Sequence, residues 1–350
     1  MKINTKKIAA VSVFLLAFVL LSGCQRTAAE PEVLSGNIFG TFFEVSISGE
    51  DSFDREAIKT GVLATLNEVD RQMSTYRQDS VLNQVNQSPL GTAVTVPAEL
   101  FYVLQVAELI SQASNGAFDT TVGGLVNLWG FGPEGRITKA PDNNELQRRL
   151  AQVGHRFVTL DVNSNAVIRH ADVFIDLSGI AKGFAVDQVS NYLHEQGLHN
   201  FLVNIGGDLK AAGMRNNERP WRVGIEVPTD QKQVAQHVMP VINQAMLGSG
   251  DYRNYFEEKG VRYSHTIDPT TGRPIHHRLA AVHVIMDNAT EADAWATALL
   301  VLGEQQGVEL ANNKGIAAIF VYRNNGEFDS LMTQEFVRHY ADSLVVPTVH

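Results

Sequence analysis

The chain has 350 residues, 44% hydrophobic and 19% charged, the composition of a globular protein with room for one large domain or two ordinary ones. With 28 basic against 38 acidic side chains its formal net charge is −10, which argues against a nucleic-acid partner because no cationic surplus replaces phosphate counterions. An acidic surface still leaves room for a phosphorylated small molecule held through a divalent metal.

The first residues read as a targeting segment. Lys2, Lys6 and Lys7 precede an apolar run over residues 8–21, too short for a comfortable spanning helix. The run ends in Leu21-Ser22-Gly23-Cys24, which resembles the lipobox of bacterial lipoproteins. Cys24 is the only cysteine, so it has no internal disulfide partner and its evident use is as a lipid attachment site. The expectation is a signal peptide over residues 1–23 and a lipid-anchored tether over residues 24–35, polar and containing Pro31. The folded part, residues 36–345, then lies on the periplasmic side of a membrane, the inner one.

In chain order, residues 41–47 alternate as a strand with Phe43, Val45 and Ile47 on one face. Residues 53–73 carry Ile58, Val62, Leu66, Val69 and Met73 at helical spacing, and a second helix runs from Pro97 to Gly116. Residues 118–133 are glycine-rich and irregular. A helix over 143–153 follows, then strands over 157–160 and 173–177, a helix over 181–196 and a strand over 201–205. Further strands fall near 221–227, 246–249, 281–286 and 316–322, with an amphipathic helix at 290–302. This order lacks strict βα alternation, and no Gly-x-Gly-x-x-Gly follows an early strand. The fold class is therefore α+β, in two closely packed lobes with a boundary near residue 135 or 200.

Three segments bear chemistry. Asp176-Leu177-Ser178-Gly179-Ile180-Ala181-Lys182-Gly183 is a strand end, a glycine turn and a helix start, suited to an anion with Lys182 as a point charge, or else an ordinary connection. In Ser264-His265-Thr266-Ile267-Asp268-Pro269-Thr270-Thr271-Gly272-Arg273-Pro274 the turn is good scaffold chemistry. His265, with an ordinary pKa near ~6.5, fits either a general base or a structural role. Asp293 and Thr297, four apart on a helix, make a hard-oxygen pair suited to Mg²⁺. Thr290 with Asp293 three residues later also reads as a capping box.

Further motifs, in chain order, stand beside these segments. They include Phe39-Gly40-Thr41, the run from Met73 to Ser80, Gly116-Ala117-Phe118-Asp119-Thr120-Thr121-Val122-Gly123 continuing to Gly132, and Asp187. Asn204-Ile205-Gly206-Gly207-Asp208 and Ser249-Gly250-Asp251-Tyr252-Arg253-Asn254 complete them. From Phe39 to about Leu331 the chain resembles the ApbE family of FAD:protein FMN transferases. The resemblance implies an FAD pocket at Phe39, Tyr76, Ala117, Phe118, Asp119, Asp176, Lys182 and Ile267. It implies Mg²⁺ at Asp293, Thr297 and the Gly179 backbone, and a base at His265. Ala296 stands where some relatives carry a second acidic residue, which leaves a second tightly held metal unsupported.

The implied reaction moves FMN from FAD to a threonine or serine hydroxyl and releases AMP, with exported flavoproteins such as subunits of a sodium-pumping NADH:quinone reductase as acceptors. Two alternatives are a periplasmic FAD pyrophosphatase, with water as acceptor, and a flavin-binding lipoprotein without chemistry. Tyr76 favours transfer over hydrolysis, and an intact His265 with Asp293 and Thr297 disfavours a mere carrier.

Overall fold

The computed structural model describes residues 30–49, 52–216, 219–226, 235–252 and 254–345. Cys24 and the targeting segment lie outside them. The first element is a hairpin of strands Glu32–Ile38 and Thr41–Ile47, joined through Phe39 and Gly40. Both joining residues have positive φ, 52° and 73°, the backbone of a tight hairpin turn that matches strand twist. The strand therefore begins inside the stretch read as tether. Leu34 is fully buried there and its neighbours pair along Thr41–Ile47, so folded structure has begun by Glu32 rather than at residue 36.

Those strands open an eight-stranded sheet. It continues through Phe201–Ile205, Asp208–Ala212, Ala245–Gly250, Leu279–Met286, Ala317–Asn324 and Glu327–Met332, every neighbour antiparallel. Helices Arg55–Met73, Ala98–Ala113, Ala181–Glu195 and Ala289–Lys314 cover one face and bury the main core. The hairpin Trp221–Glu226/Ala235–Val241 and helix Gln334–Tyr340 cover the other. The α+β class holds.

Local chemistry explains the helices. Asp54 caps Arg55–Met73, its carboxylate accepting from the Glu56 and Ala57 amides, and Ile58, Val62, Leu66, Val69 and Met73 form the buried stripe. Pro97 stands immediately before Ala98–Ala113. The Ala289–Lys314 helix is broken at Gly303, whose φ of 77° and ψ of −178° are not helical.

Two expectations change. Residues 173–177 do not form a strand; Asn86 serves them instead, accepting from the Ile175 amide at 2.8 Å and donating to the Ile175 carbonyl at 2.9 Å. The Phe174 carbonyl accepts from the Gly123 amide at 3.1 Å and the Asp176 amide donates to the Thr120 carbonyl at 2.7 Å, so the run meets its backbone needs by single bonds rather than a ladder. The smaller lobe also has no single boundary at residue 135 or 200. Its core of Leu125, Trp129, Leu146, Val153 and Ile267 draws on two separated stretches, one around residues 122–153 and one around 255–275.

Candidate functional site

The cavity lies where the helical layer, the sheet and the smaller lobe meet, with a volume of about 410 Å³. Asp176 shapes its floor: Oδ1 accepts from the Ser178 amide at 2.8 Å and hydroxyl at 2.6 Å, bending the chain into the start of helix Ala181–Glu195. This turn brings the Gly179 carbonyl to 3.4 Å from the Thr297 hydroxyl, which lies 3.0 Å from the Ser249 hydroxyl. A Cβ on Gly179 would stand 3.1 Å from Thr297 Oγ1 and 3.3 Å from the Phe118 ring, so glycine keeps this corner open.

Asp293 is only 2% exposed, and its Oδ2 accepts from the Gly183 amide at 2.8 Å. Burial pushes its carboxyl up to about 7, the Asp208 charge acts in the same direction, and Lys182 and the Gly183 N–H oppose them. Asp293 is not the third residue of a capping box. The N-cap is Asn288, whose side chain accepts from the Glu291 amide at 2.9 Å, and Asp293 sits beyond the first turn. This buried carboxylate has one backbone donor, and burial outweighs the pull of the Lys182 charge on it. With a hydroxyl and a carbonyl beside it, the set suits a single Mg²⁺ completed by waters and substrate phosphates. Among the described residues no group of three or more His, Cys, Asp or Glu offers a rival metal centre.

On the cavity wall Lys182 forms an ion pair with Asp208, and Asp208 Oδ1 also accepts from the Gly248 amide at 3.1 Å. Asp208 is buried, so the pair fixes the lysine ammonium at the wall. His265 follows the strand Val261–Ser264. Its amide donates to the Asn254 carbonyl at 3.0 Å and its Nδ1 lies 3.1 Å from the same oxygen. A carbonyl only accepts, so Nδ1 carries the proton of the neutral ring and Nε2 keeps its lone pair. Burial holds the imidazole below its ordinary value, Lys182 acts in the same direction, and the Asn254 carbonyl and Asp251 oppose them. The turn after His265 is tied down by Trp129, whose indole N–H donates to the Gly272 carbonyl at 2.8 Å.

Ten of the twelve residues expected on the cofactor, metal and base positions line this one cavity: Ala117, Phe118, Asp119, Asp176, Gly179, Lys182, His265, Ile267, Asp293 and Thr297. Phe39 does not line it; it sits at the hairpin turn, packed against the main core. Tyr76 is 67% exposed outside the cavity and donates to the Phe131 carbonyl at 3.0 Å. Its phenol is pushed up by burial and then by the Asp176 charge, with Arg136 opposing them.

Asp119 differs from expectation in its bonding. One of its oxygens accepts from the Thr121 amide at 2.8 Å and hydroxyl at 2.6 Å, the other from the His155 amide at 2.8 Å. Its carboxylate organises the Gly116–Gly123 loop and is largely spent before any ligand arrives. Conversely, Asp208, Ser249 and Asn254 were visible only as members of motifs, and the structure gives each a partner in the site: Lys182, Thr297 and His265.

A family model described as the ApbE family matches residues 39–320. The "FAD:protein FMN transferase" of Vibrio cholerae is 38% identical over 325 residues, covering 93% of this chain and 97% of that protein. The protein of that name from Escherichia coli K12 is 35% identical over 332 residues, covering 92% and 95%. The solved structure of the Vibrio cholerae flavin transferase ApbE superposes with a TM-score of 0.82 at 37% identity, covering 89% of this chain and 99% of that one. The apo flavinyl transferase ApbE of Pseudomonas stutzeri gives 0.82 at 36% identity, covering 90% and 98%. With matching motifs, a matching fold and relatives aligned along nearly their whole length, this chain belongs to the ApbE family.

Proposed function

We infer that this protein is an FAD:protein FMN transferase that moves FMN from FAD to a threonine or serine hydroxyl of an exported flavoprotein and releases AMP. The observation that carries the reading is the gathering of an imidazole with Nε2 available, a fixed ammonium and a one-carboxylate oxygen cradle around one cavity. The names of the relatives supply the reaction class.

Asp293, Thr297 and the Gly179 carbonyl would hold Mg²⁺, which when bound supplies positive charge to the pyrophosphate oxygens. Lys182, held by Asp208, adds charge on the same side. His265 Nε2 takes the proton of the acceptor hydroxyl while its oxygen bonds to the FMN-side phosphorus. The bond from that phosphorus to the bridging oxygen breaks, and AMP departs. Positioning and charge stabilisation supply most of the rate in such transfers. We place the protein at a membrane through lipid on Cys24, supported by the basic and apolar segment before that sole cysteine.

The test incubates purified protein with FAD, Mg²⁺ and a flavoprotein subunit of a sodium-pumping NADH:quinone reductase, then weighs the acceptor. The acceptor should gain one FMN phosphoester, and Asp293→Ala or a chelator should abolish the gain. Stoichiometric free FMN and AMP with an unlabelled acceptor would replace the transferase reading with a hydrolase.

A further inference from the structure

Asp187 lies on helix Ala181–Glu195, five residues after Lys182, and does not line the cavity. It is buried, yet its two oxygens receive four donors from elsewhere in the chain. Oδ1 accepts from Lys210 Nζ at 2.6 Å and from the Ala289 amide at 3.1 Å. Oδ2 accepts from the Thr290 amide at 2.9 Å and the Thr290 hydroxyl at 2.8 Å. Ala289 and Thr290 are the first two residues of the helix that carries Asp293 and Thr297.

The amides of a first helical turn have no partners within their own helix. Asn288 serves that of Glu291, and Asp187 serves those of Ala289 and Thr290, so this helix start is completed by a carboxylate from a neighbouring helix. The negative charge also faces the positive end of the helix dipole. One turn earlier on Ala181–Glu195 and one turn later on Ala289–Lys314, the Gly183 amide donates to Asp293 itself. A Cβ at Gly183 would lie 2.2 Å from the Ala289 carbonyl oxygen, so the helices touch backbone to backbone between these clamps.

We propose that Asp187, with Lys210 behind it, is a positioning residue: it locks the axial register of the helix bearing Asp293 and Thr297 against the segment bearing Gly179 and Lys182. The inference rests on the reading of Asp293, Thr297 and Gly179 as the Mg²⁺ cradle. A slide or rotation of one helix by a fraction of a turn would separate the Thr297 hydroxyl from the Gly179 carbonyl while leaving the core apolar and packed. Asp187 therefore acts on metal affinity without touching metal or substrate.

Asp187→Asn is the sharp variant, because whichever way the amide turns, its N–H₂ meets at least one N–H donor; only the Thr290 hydroxyl can accept in return, so at least one of the four bonds is lost along with the negative charge. Mn²⁺ is the probe, with binding read by electron paramagnetic resonance and the Mg²⁺-dependent rise in Tm as a second measure. Asp54→Ala, which removes the cap of the distant helix Arg55–Met73, serves as a stability control. Asp187→Asn should bind Mn²⁺ at least about tenfold more weakly, Asp54→Ala should bind as the unaltered chain does, and excess Mg²⁺ should restore turnover of Asp187→Asn. Lys210→Gln, which removes one donor and leaves three, should fold and show a smaller loss of about threefold. Metal affinity within twofold of the unaltered chain in both Asp187→Asn and Lys210→Gln overturns the proposal, as does an equal loss in Asp54→Ala. If Asp187→Asn fails to fold, Lys210→Gln alone decides. An unaltered chain that binds neither Mn²⁺ nor Mg²⁺ removes the metal reading itself, a result the variants cannot mimic.

Discussion

A threonine or serine hydroxyl keeps its proton at neutral pH, so the group that removes it limits the chemical step. In the proposed mechanism that group is His265, and a backbone contact prepares it: the Asn254 carbonyl fixes the proton on Nδ1 and leaves the Nε2 lone pair to act. His265→Ala should lower the rate of FMN transfer on the order of 10²–10⁴-fold while FAD affinity stays near normal. Because burial depresses this imidazole, the active neutral form persists below its ordinary value of 6.5, and activity should fall only as pH drops further. Stopped assays at saturating FAD across pH 5 to 8 check this; a loss of rate centred above 6.5 would contradict the assignment. At this scale the sequence shows the chemical type of His265, Lys182 and Asp293 directly. It does not show that Asp119 is spent on Thr121 and His155, or that Asp208 holds Lys182, because those partners arrive from other parts of the fold.

Between elements, two opposing effects meet at Gly183. An alanine inside a helix ordinarily gains about 1 kcal/mol over glycine. Here its Cβ would press on the Ala289 carbonyl oxygen and on Asp293 Cβ at 2.7 Å, and backbone cannot move aside as a side-chain tip can. Overpacking of this kind costs about 1–3 kcal/mol, so the clash should win. Gly183→Ala should lower stability in urea titrations despite its better helix propensity, and should weaken Mg²⁺-dependent activity by loosening the bond from the Gly183 amide to Asp293. A more stable variant with full activity would show that the helices do not need this approach. Periodicity made most of these helices and strands legible before any coordinates. It failed at residues 173–177, where Asn86 replaces a strand partner, and at Ala166–Arg169, a four-residue strand too short to show a period. It also offered Thr290 and Asp293 as a cap, when the real cap is Asn288 and the Ala289 and Thr290 amides donate to Asp187, a carboxylate more than a hundred residues earlier.

For the molecule as a whole, the start of the folded part matters to any soluble form. The strand Glu32–Ile38 is held by Thr41–Ile47 on one side, and Arg55 pins its beginning by donating to the Val33 carbonyl at 2.6 Å. A chain starting at residue 30 should match the full domain in Tm. One starting at Gly36 loses the fully buried Leu34 and half the strand, a loss of about 2–5 kcal/mol by the measure of buried leucines. Cys24→Ala in the full chain should abolish lipid labelling and release the protein from membranes; continued lipid-dependent fractionation would refute the anchor. Among the described residues no helix is long and apolar enough to cross a membrane. Only residues 25–31 then separate the lipid from the first strand, a span of at most about 25 Å when fully stretched. Such a short leash turns the search for an acceptor from three dimensions into a lateral one. It raises the effective concentration of hydroxyls carried close to the bilayer and excludes those that project far from it. Which proteins this enzyme modifies would then be decided as much by height above the lipid as by the fit of a peptide to the cavity.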